Sequence, residues 1–206
     1  MTGSSALENV QIGTNGWLHA NWLGAFYPDD LPEDWQLDYY SNIFKSVLVP
    51  MQDWMSWGCD DLEELADCVE DEFSFYFAMQ GKLDVQQLKQ LGKVVDALKE
   101  NAKGLLVWSE DQQLESNIAN LPVTLLSSKY HLPGWNWQYN DQQLSGNPLG
   151  YLPILPVEGR DQAAIMKSFV ASLPESHPAA PMIVGGDQIN MDHVINLKTV
   201  TELLGY

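Results

Sequence analysis

The sequence predicts an α/β fold and, within that class, a shortened or incomplete TIM-like (β/α) barrel. Short apolar runs alternate along the chain with segments of helical periodicity. Such alternation is typical of parallel strands joined by right-handed crossovers. The strand candidates nearly reach the eight of a complete barrel, but the 206 residues fall short of the roughly 250 that such barrels usually take. One unit of the barrel is therefore expected to be reduced.

Seven runs have the length and composition of buried strands. They are Val10–Gly13, Ser46–Val49, Phe73–Met79, Gly104–Trp108, Pro122–Leu126, Tyr151–Val157 and Met182–Gly185.

Helical patterns occupy most of the intervals between these runs. Asp84 is placed to cap a helix whose apolar positions recur from Val85 to Leu98. Asp161 begins a later helix, and either Asp187 or Asn190 caps the last one. An apolar stripe at helical spacing predicts one more, formed by Leu62, Leu65, Ala66 and Val69.

The segment 127–150 has no clean helical period and is rich in Gly, Pro, Asn and Gln. We expect an irregular loop there that replaces a helix of the barrel. No composition shift marks a domain boundary, so residues 1–206 are expected to form a single domain.

Charge limits the partners. Twenty-eight acidic residues face ten basic ones, giving a formal net charge of -18, and Arg160 is the only arginine. Such a chain repels nucleic acid and anionic membrane surfaces. A protein partner, a neutral small molecule and self-association stay open.

Location follows from what the sequence lacks. No apolar stretch is long enough for a membrane span, and residues 1–10 do not resemble a secretory signal. Cys59 and Cys68 are too far out of helical phase for a local disulfide. A cytoplasmic protein is therefore expected. Because no G-x-S-x-G, P-loop or G-x-G-x-x-G motif is present, no cofactor is expected either.

The opening of the chain resembles the YecE-like family, whose members have no assigned function and a TIM-like barrel fold. The residues that match its opening are Ile12–Trp17, Trp22, Gly24, Phe26–Pro28, Trp35, Tyr39–Tyr40 and Phe44–Val47. Weaker similarity follows at Phe73, Phe75 and Phe77, and again in the last strand and helix. The resemblance implies the same barrel that the alternation predicts.

The chain departs from the family at polar positions near strand ends. The family's acidic residue in the second strand is Leu48 here, and its Lys after the Phe-rich third strand falls on Ala78. Its Asn residues fall on Pro50, Gly185 and Gly186. Since barrel active sites are built at strand carboxyl ends, these changes remove the acid, base and amide groups that the resemblance implies.

A ligand site is expected at the barrel face that carries those strand ends. Amide and aromatic side chains there suit a neutral polar ligand such as a sugar or nucleoside. The predicted lining residues are Asn15, Trp17, His19, Trp22, Gln52 and Gln80. The alternative is that the Trp rings only close the barrel mouth as buried structure.

Four residues near strand ends offer a metal site instead, namely Glu110, His131, Glu158 and Asp187. A divalent ion on such a set would suit a hydrolase or isomerase acting on a carbohydrate-like ligand. Two function hypotheses follow. The first, which we favour, is a non-catalytic binding or scaffold member of the family, and the second is this metal-assisted enzyme.

Three other features have structural interpretations. The acidic run Asp60–Glu72 is interpreted as the solvated face of a helix, and Gly185–Gly186 as a tight turn. In Tyr130–Tyr139, Trp135 and Trp137 would share one face of a strand. They form either a partner patch or a cover over the seam left by the missing helix.

Overall fold

The computed structural model describes residues 10–175, 180–186 and 188–206. Ten strands are present in this part of the chain. They are β1 (Val10–Asn15), β2 (Ser46–Val49), β3 (Ser74–Gln80), β4 (Ala102–Trp108), β5 (Asn117–Ile118), β6 (Leu121–Leu126), β7 (Trp135–Tyr139), β8 (Gln142–Gly146), β9 (Gly150–Leu152) and β10 (Ala180–Val184).

Six α-helices accompany the described strands. They are α1 (Gln36–Ser41), α2 (Met51–Ser56), α3 (Cys59–Asp67), α4 (Val85–Leu98), α5 (Gly159–Ser172) and α6 (Met191–Leu203). None of the helices described here is both long and apolar enough to cross a bilayer.

The strands form a nearly closed barrel. Their order is β7-β8-β6-β4-β3-β2-β1-β10-β9, with β5 pairing with β6 at the side. All neighbours from β6 through to β9 are parallel, and the first strand β1 pairs with β10 near the end of the chain. This sequential parallel order, returning on itself, confirms the predicted TIM-like barrel.

The interval 127–150 corrects one expectation. Where we expected an irregular loop, β7 and β8 form an antiparallel hairpin, and β8 pairs antiparallel with β6. Asn140 takes a positive φ at the hairpin turn, which explains why a turn-rich composition accompanies regular strands. No helix occurs within these residues, all of which the structure describes.

Helix α5 fills the gap between this hairpin and β9. The Phe169 ring of α5 packs edge-on against the indoles of Trp135 and Trp137, with ring centroids 5.9 and 5.1 Å away. On its other side, Phe169 lies so close to Gly150 of β9 that a Cβ there would come within 3.0 Å of the ring. The two Trp side chains are buried while Asn136 and Gln138 are exposed, so the indoles cover the seam of the barrel.

The predicted helix boundaries need small corrections. Asp84 caps α4 as expected, with reciprocal hydrogen bonds to Gln87, but Val85 is 84% exposed. Helix α5 begins at Gly159 rather than Asp161, and Asn190 caps α6.

Strand β9 ends at Leu152 and does not continue to Val157, because Pro153 and Pro156 interrupt strand pairing. The acids of Asp60–Glu72 are exposed along and beyond α3, as expected. Cys59 and Cys68 are free thiols.

Candidate functional site at the barrel mouth

The inner face of the barrel can be assigned from side-chain alternation and contacts. Thr14 of β1 faces outward, since its hydroxyl oxygen lies 2.9 Å from the phenol oxygen of Tyr40 on α1. Gly13 and Asn15 therefore face inward. Asn15 is in register with Leu48 of β2, and Leu48 with Tyr76 of β3, so these side chains share the interior.

The parallel strands carry almost no charge. Across β1, β2, β3, β4, β6, β9 and β10, Lys103 is the only residue with a formally charged or imidazole side chain. Lys103 is exposed near the amino end of β4, away from the mouth. The positions where the family resemblance places an acid and an amine are the buried Leu48 and Ala78. The barrel interior therefore offers no strand-borne acid or base at neutral pH.

Aromatic side chains meet across the carboxyl end of the barrel. Trp108, the last residue of β4, makes an edge-to-face contact with Tyr151 of β9 at 5.3 Å between ring centroids. Beneath Tyr151 lies Gly185, where a Cβ would overlap the Tyr151 hydroxyl. An Asn at position 185, as the resemblance implies, could not coexist with Tyr151 in this position.

Two further polar groups lie in the interior. The Tyr76 phenol is buried against Gly104, and burial raises its pKa well above the usual range. The side-chain oxygen of Asn15 is buried and has no hydrogen-bond partner in the described part of the chain. A buried amide oxygen without a donor is costly, so Asn15 is the interior group best suited to accept a hydrogen bond from a ligand.

His19 and Asp53 form the titratable part of the rim. A ring nitrogen of His19 lies 2.9 Å from the Asn15 carbonyl oxygen, and its ring lies 4.3 Å from the indole of Trp22. Burial raises the pKa of Asp53 above its ordinary value, while the nearby His19 partly offsets this. These two side chains are half-buried at the start of the loops that follow β1 and β2.

Trp17 and Trp22 are buried rather than presented to a ligand, as the structural alternative in the sequence analysis proposed. Trp22 is 1% exposed, stacks with Tyr40, and donates its indole N–H to the carbonyl of Ile189 at 2.9 Å. Trp17 is 6% exposed and packs against Trp57 on the outer side of the first loop.

The other predicted ligand residues are distributed around the rim. Asn15 and His19 are brought together, as described above. Gln80 is exposed at the carboxyl end of β3, and Gln52 is exposed on α2 after β2. The mouth therefore keeps four of the predicted polar side chains, without the two indoles.

Three of the four predicted metal ligands, Glu110, His131 and Glu158, lie in the described part of the chain. Glu110 receives hydrogen bonds from the backbone and hydroxyl of Ser128 at 2.7 and 2.8 Å, which lower the pKa of its carboxyl. His131 and Glu158 are exposed, and Asp187 lies outside the described residues. No group of three or more possible ligands occurs in the ranges the structure covers.

Gly185 and Gly186 form the tight turn that was expected. Gly186 has a φ of 106°, and a Cβ there would lie 2.8 Å from the Pro153 carbonyl oxygen. The left-handed conformation and the close approach both require glycine.

Sequence reasoning missed Trp108, Tyr151 and Asp53. Trp108 and Tyr151 both fell within predicted strands, but their contact joins strands from opposite sides of the barrel, which no local pattern reveals. Asp53 carried a weak signal, because it follows a predicted strand just as Gln52 does.

Comparisons of the sequence and of the fold with known proteins lead to the same family. The profile of a family described as "Protein of unknown function DUF72", which is also called YecE-like, matches residues 11–130, more than half of the chain. The chain belongs to the DUF72 family. No curated protein matches it significantly.

Two solved DUF72 structures share the fold. The DUF72 protein of Thermotoga maritima superposes with a TM-score of 0.59 at 13% identity, covering 96% of this chain and 99% of the other. A DUF72 protein of Enterococcus faecalis gives a TM-score of 0.58 at 11% identity, covering 94% and 95%. At these identities the likeness concerns the fold alone.

Proposed function

We propose that this chain is a divergent, shortened and non-catalytic DUF72 member that acts as a binding or scaffold protein. One observation carries the proposal: Trp108 and Tyr151 meet across the carboxyl end of the barrel, where their strands bear no acid, base or imidazole. General acid–base and electrostatic catalysis both need such groups near the reacting atoms. Gly185 supports the proposal as well, because only a residue without a Cβ leaves room for the Tyr151 ring that fills the mouth.

The ligand of such a protein would be neutral and polar, and it would bind at the rim. Asn15 offers an unpartnered buried oxygen, and Gln52 and Gln80 offer exposed amides. The buried Trp17 and Trp22 would hold the loop after β1 in place without contacting the ligand. The formal net charge of -18 disfavours anions.

A thermal-shift screen of neutral sugars and nucleosides tests this site. We expect a stabilising ligand for the wild type, and a loss of most of that shift in Asn15→Ala and Gln80→Ala. Gln86→Ala, an equally exposed amide on α4, serves as the matched control and should leave the shift unchanged. A ligand whose effect survives both rim substitutions binds elsewhere and contradicts the proposed site.

The non-catalytic role has its own test. Metal analysis of the purified protein should find no stoichiometric zinc or manganese. Metal that is lost in His131→Ala, or any turnover that is lost in Asp53→Asn, would establish the enzyme and overturn the proposal. Asp53 is included because it is the half-buried carboxyl whose pKa is raised beside the mouth.

We also propose a cytoplasmic location without binding to nucleic acid or anionic membranes. The formal net charge of -18 supports the absence of such binding, because the phosphate groups of nucleic acid and anionic lipids would be repelled. Retention on a heparin or DNA column at physiological salt would contradict it.

A further inference from the structure

A groove on the outside of the barrel lies apart from the mouth. It has a volume of about 170 Å³ and is bounded by the loop after β1, the 3₁₀ turn Glu33–Trp35 and helix α3. Its apolar walls include the indoles of Trp17 and Trp57, whose ring centroids are 6.3 Å apart at an angle of 39°. Small-molecule pockets usually measure about 300 Å³ or more, so this groove has room for one long side chain rather than a metabolite.

Four carboxylates line the groove together with those indoles, namely Glu33, Asp34, Asp61 and Glu64, and no Lys or Arg does. Asp61 accepts a hydrogen bond from the backbone of Gly58 at 2.7 Å. Within the described ranges, the only ion pair joins Lys198 and Glu202, so none of the four is neutralised by an ion pair. The groove is therefore a concentrated negative surface over an aromatic wall.

The pKa of the Cys68 thiol, which also lines the groove, responds to the same negative charge. Burial first, and then the nearby carboxylates of Asp38 and Glu64, raise the pKa of Cys68 to about 11. The part of this rise that comes from the carboxylates reflects a negative field, which favours a cation.

Exposed apolar side chains flank the groove. Leu18, which lines it, is 48% exposed, and Trp35, which follows Asp34 in the chain, is 65% exposed. Large apolar side chains beside a charged groove extend the contact surface beyond what one cation would use.

We propose that this groove docks a Lys or Arg side chain from a basic segment of a partner protein, with apolar neighbours of that residue resting on Leu18 and Trp35. Charge complementarity selects the occupant, because carboxylates pair with the cation while the half-buried indole of Trp57 favours it through cation–π contact. A second copy of this chain is a poor occupant, since two molecules of net charge -18 repel each other. The proposal does not depend on whether the mouth is catalytic, because none of the polar side chains placed at the mouth lines the groove.

Binding of a labelled octapeptide that alternates Arg and Leu, followed by fluorescence anisotropy, tests the proposal. We expect saturable binding that weakens as salt rises, and no binding of the same peptide with citrulline in place of Arg. Glu64→Gln should weaken binding about fivefold, the loss expected for one surface ion pair at the upper end of the usual strength. Glu63→Gln changes the same charge on the same helix outside the groove and should leave the affinity within twofold of wild type.

A second pair of variants isolates the apolar flank. Leu18→Ser should weaken the binding of the peptide severalfold, whereas Leu203→Ser, at a still more exposed leucine on α6, should not. Spermidine should compete weakly, because it cannot use Leu18 or Trp35. Equal losses in Glu63→Gln and Glu64→Gln would show attraction to net charge alone and overturn the proposal. Absence of peptide binding, or insensitivity to Leu18→Ser, would overturn it as well.

Discussion

Two aromatic clusters close this barrel, and their polar atoms are used differently. The first cluster surrounds Trp22 and Tyr40 beside β1, and its hydroxyl and indole groups bond to backbone atoms of distant segments. The second cluster consists of Trp135 and Trp137 on the hairpin with Phe169 of α5, and its indoles bond only to serine hydroxyls.

The difference shows how much of the fold depends on each cluster. Tyr40 accepts the N–H of Thr14 and donates to the carbonyl of Ser46, each at 2.9 Å, so one phenol ties β1 to the start of β2. A hydrogen bond to a backbone group is kept when side chains mutate or rotate. A hydrogen bond to a serine hydroxyl can instead be replaced by one to water. The first cluster is therefore expected to fix the barrel, and the second to cover its seam.

The largest effect is expected for Trp22→Ala. This substitution empties a fully buried site next to Tyr40 and removes the shorter of two hydrogen bonds to the Ile189 carbonyl, leaving only the Asn21 amide at 3.4 Å. We expect a loss of about 3–5 kcal/mol in the free energy of unfolding. Chemical denaturation of Trp35→Ala, which removes an indole that is 65% exposed, should show little change. Similar losses in the two variants would mean that Trp22 is not part of the core.

Tyr40→Phe should cost less, about 1–3 kcal/mol, because it removes one oxygen and leaves the buried Thr14 N–H unpaired. The matched variant is Tyr139→Phe, at a tyrosine whose ring stacks on Trp137 of the second cluster with ring centroids 5.8 Å apart. No hydrogen bond of the Tyr139 hydroxyl is found in the described chain, so that change should be nearly neutral in urea denaturation. Equal effects would remove the distinction between the clusters.

Ser168→Ala tests the second cluster directly. It takes the partner from the Trp137 indole, which lies 3.2 Å from the Ser168 hydroxyl. Because Ser168 is exposed, water can replace the hydroxyl, and we expect a loss of about 0.5–1 kcal/mol. Thermal unfolding would measure it, with Ser116→Ala as the control, since Ser116 is exposed and its hydroxyl makes no hydrogen bond within the described residues. A loss as large as that of Tyr40→Phe would make the seam as important as β1.

The smallest effect is a pH dependence of stability that comes from Asp53. This residue lies near His19, whose ring is tilted against Trp22 at the edge of the first cluster. Since burial raises the pKa of Asp53 in the folded state, ionising it costs folding free energy as the pH rises from the ordinary aspartate range through that raised value. Asp53→Asn should therefore raise Tm slightly at neutral pH and have no effect where Asp53 is protonated. Asp96→Asn on α4 is the control. A gain that persists at low pH would contradict this cause.

Much of the fold was predictable because it follows from local patterns. Each predicted strand corresponds to an observed parallel strand, and Asp84 and Asn190 cap their helices as the capping rules indicate. The hairpin at 135–146 was not predicted, because Gly, Asn and Gln residues interrupt its alternating pattern and are also common in loops. The alternation of Trp135 and Trp137 with Asn136 and Gln138 correctly indicated a shared buried face.

The candidate site was predictable only in part. The sequence by itself determined the parallel alternation, the family resemblance, the negative charge and the lack of polar residues at Leu48 and Ala78, because these are properties of composition and spacing. Tertiary structure decided that Trp17 and Trp22 are buried, that Trp108 meets Tyr151, and that Trp17 borders an acidic groove. Such contacts join residues far apart in the chain, and closure of the barrel, rather than any local preference, brings them within reach.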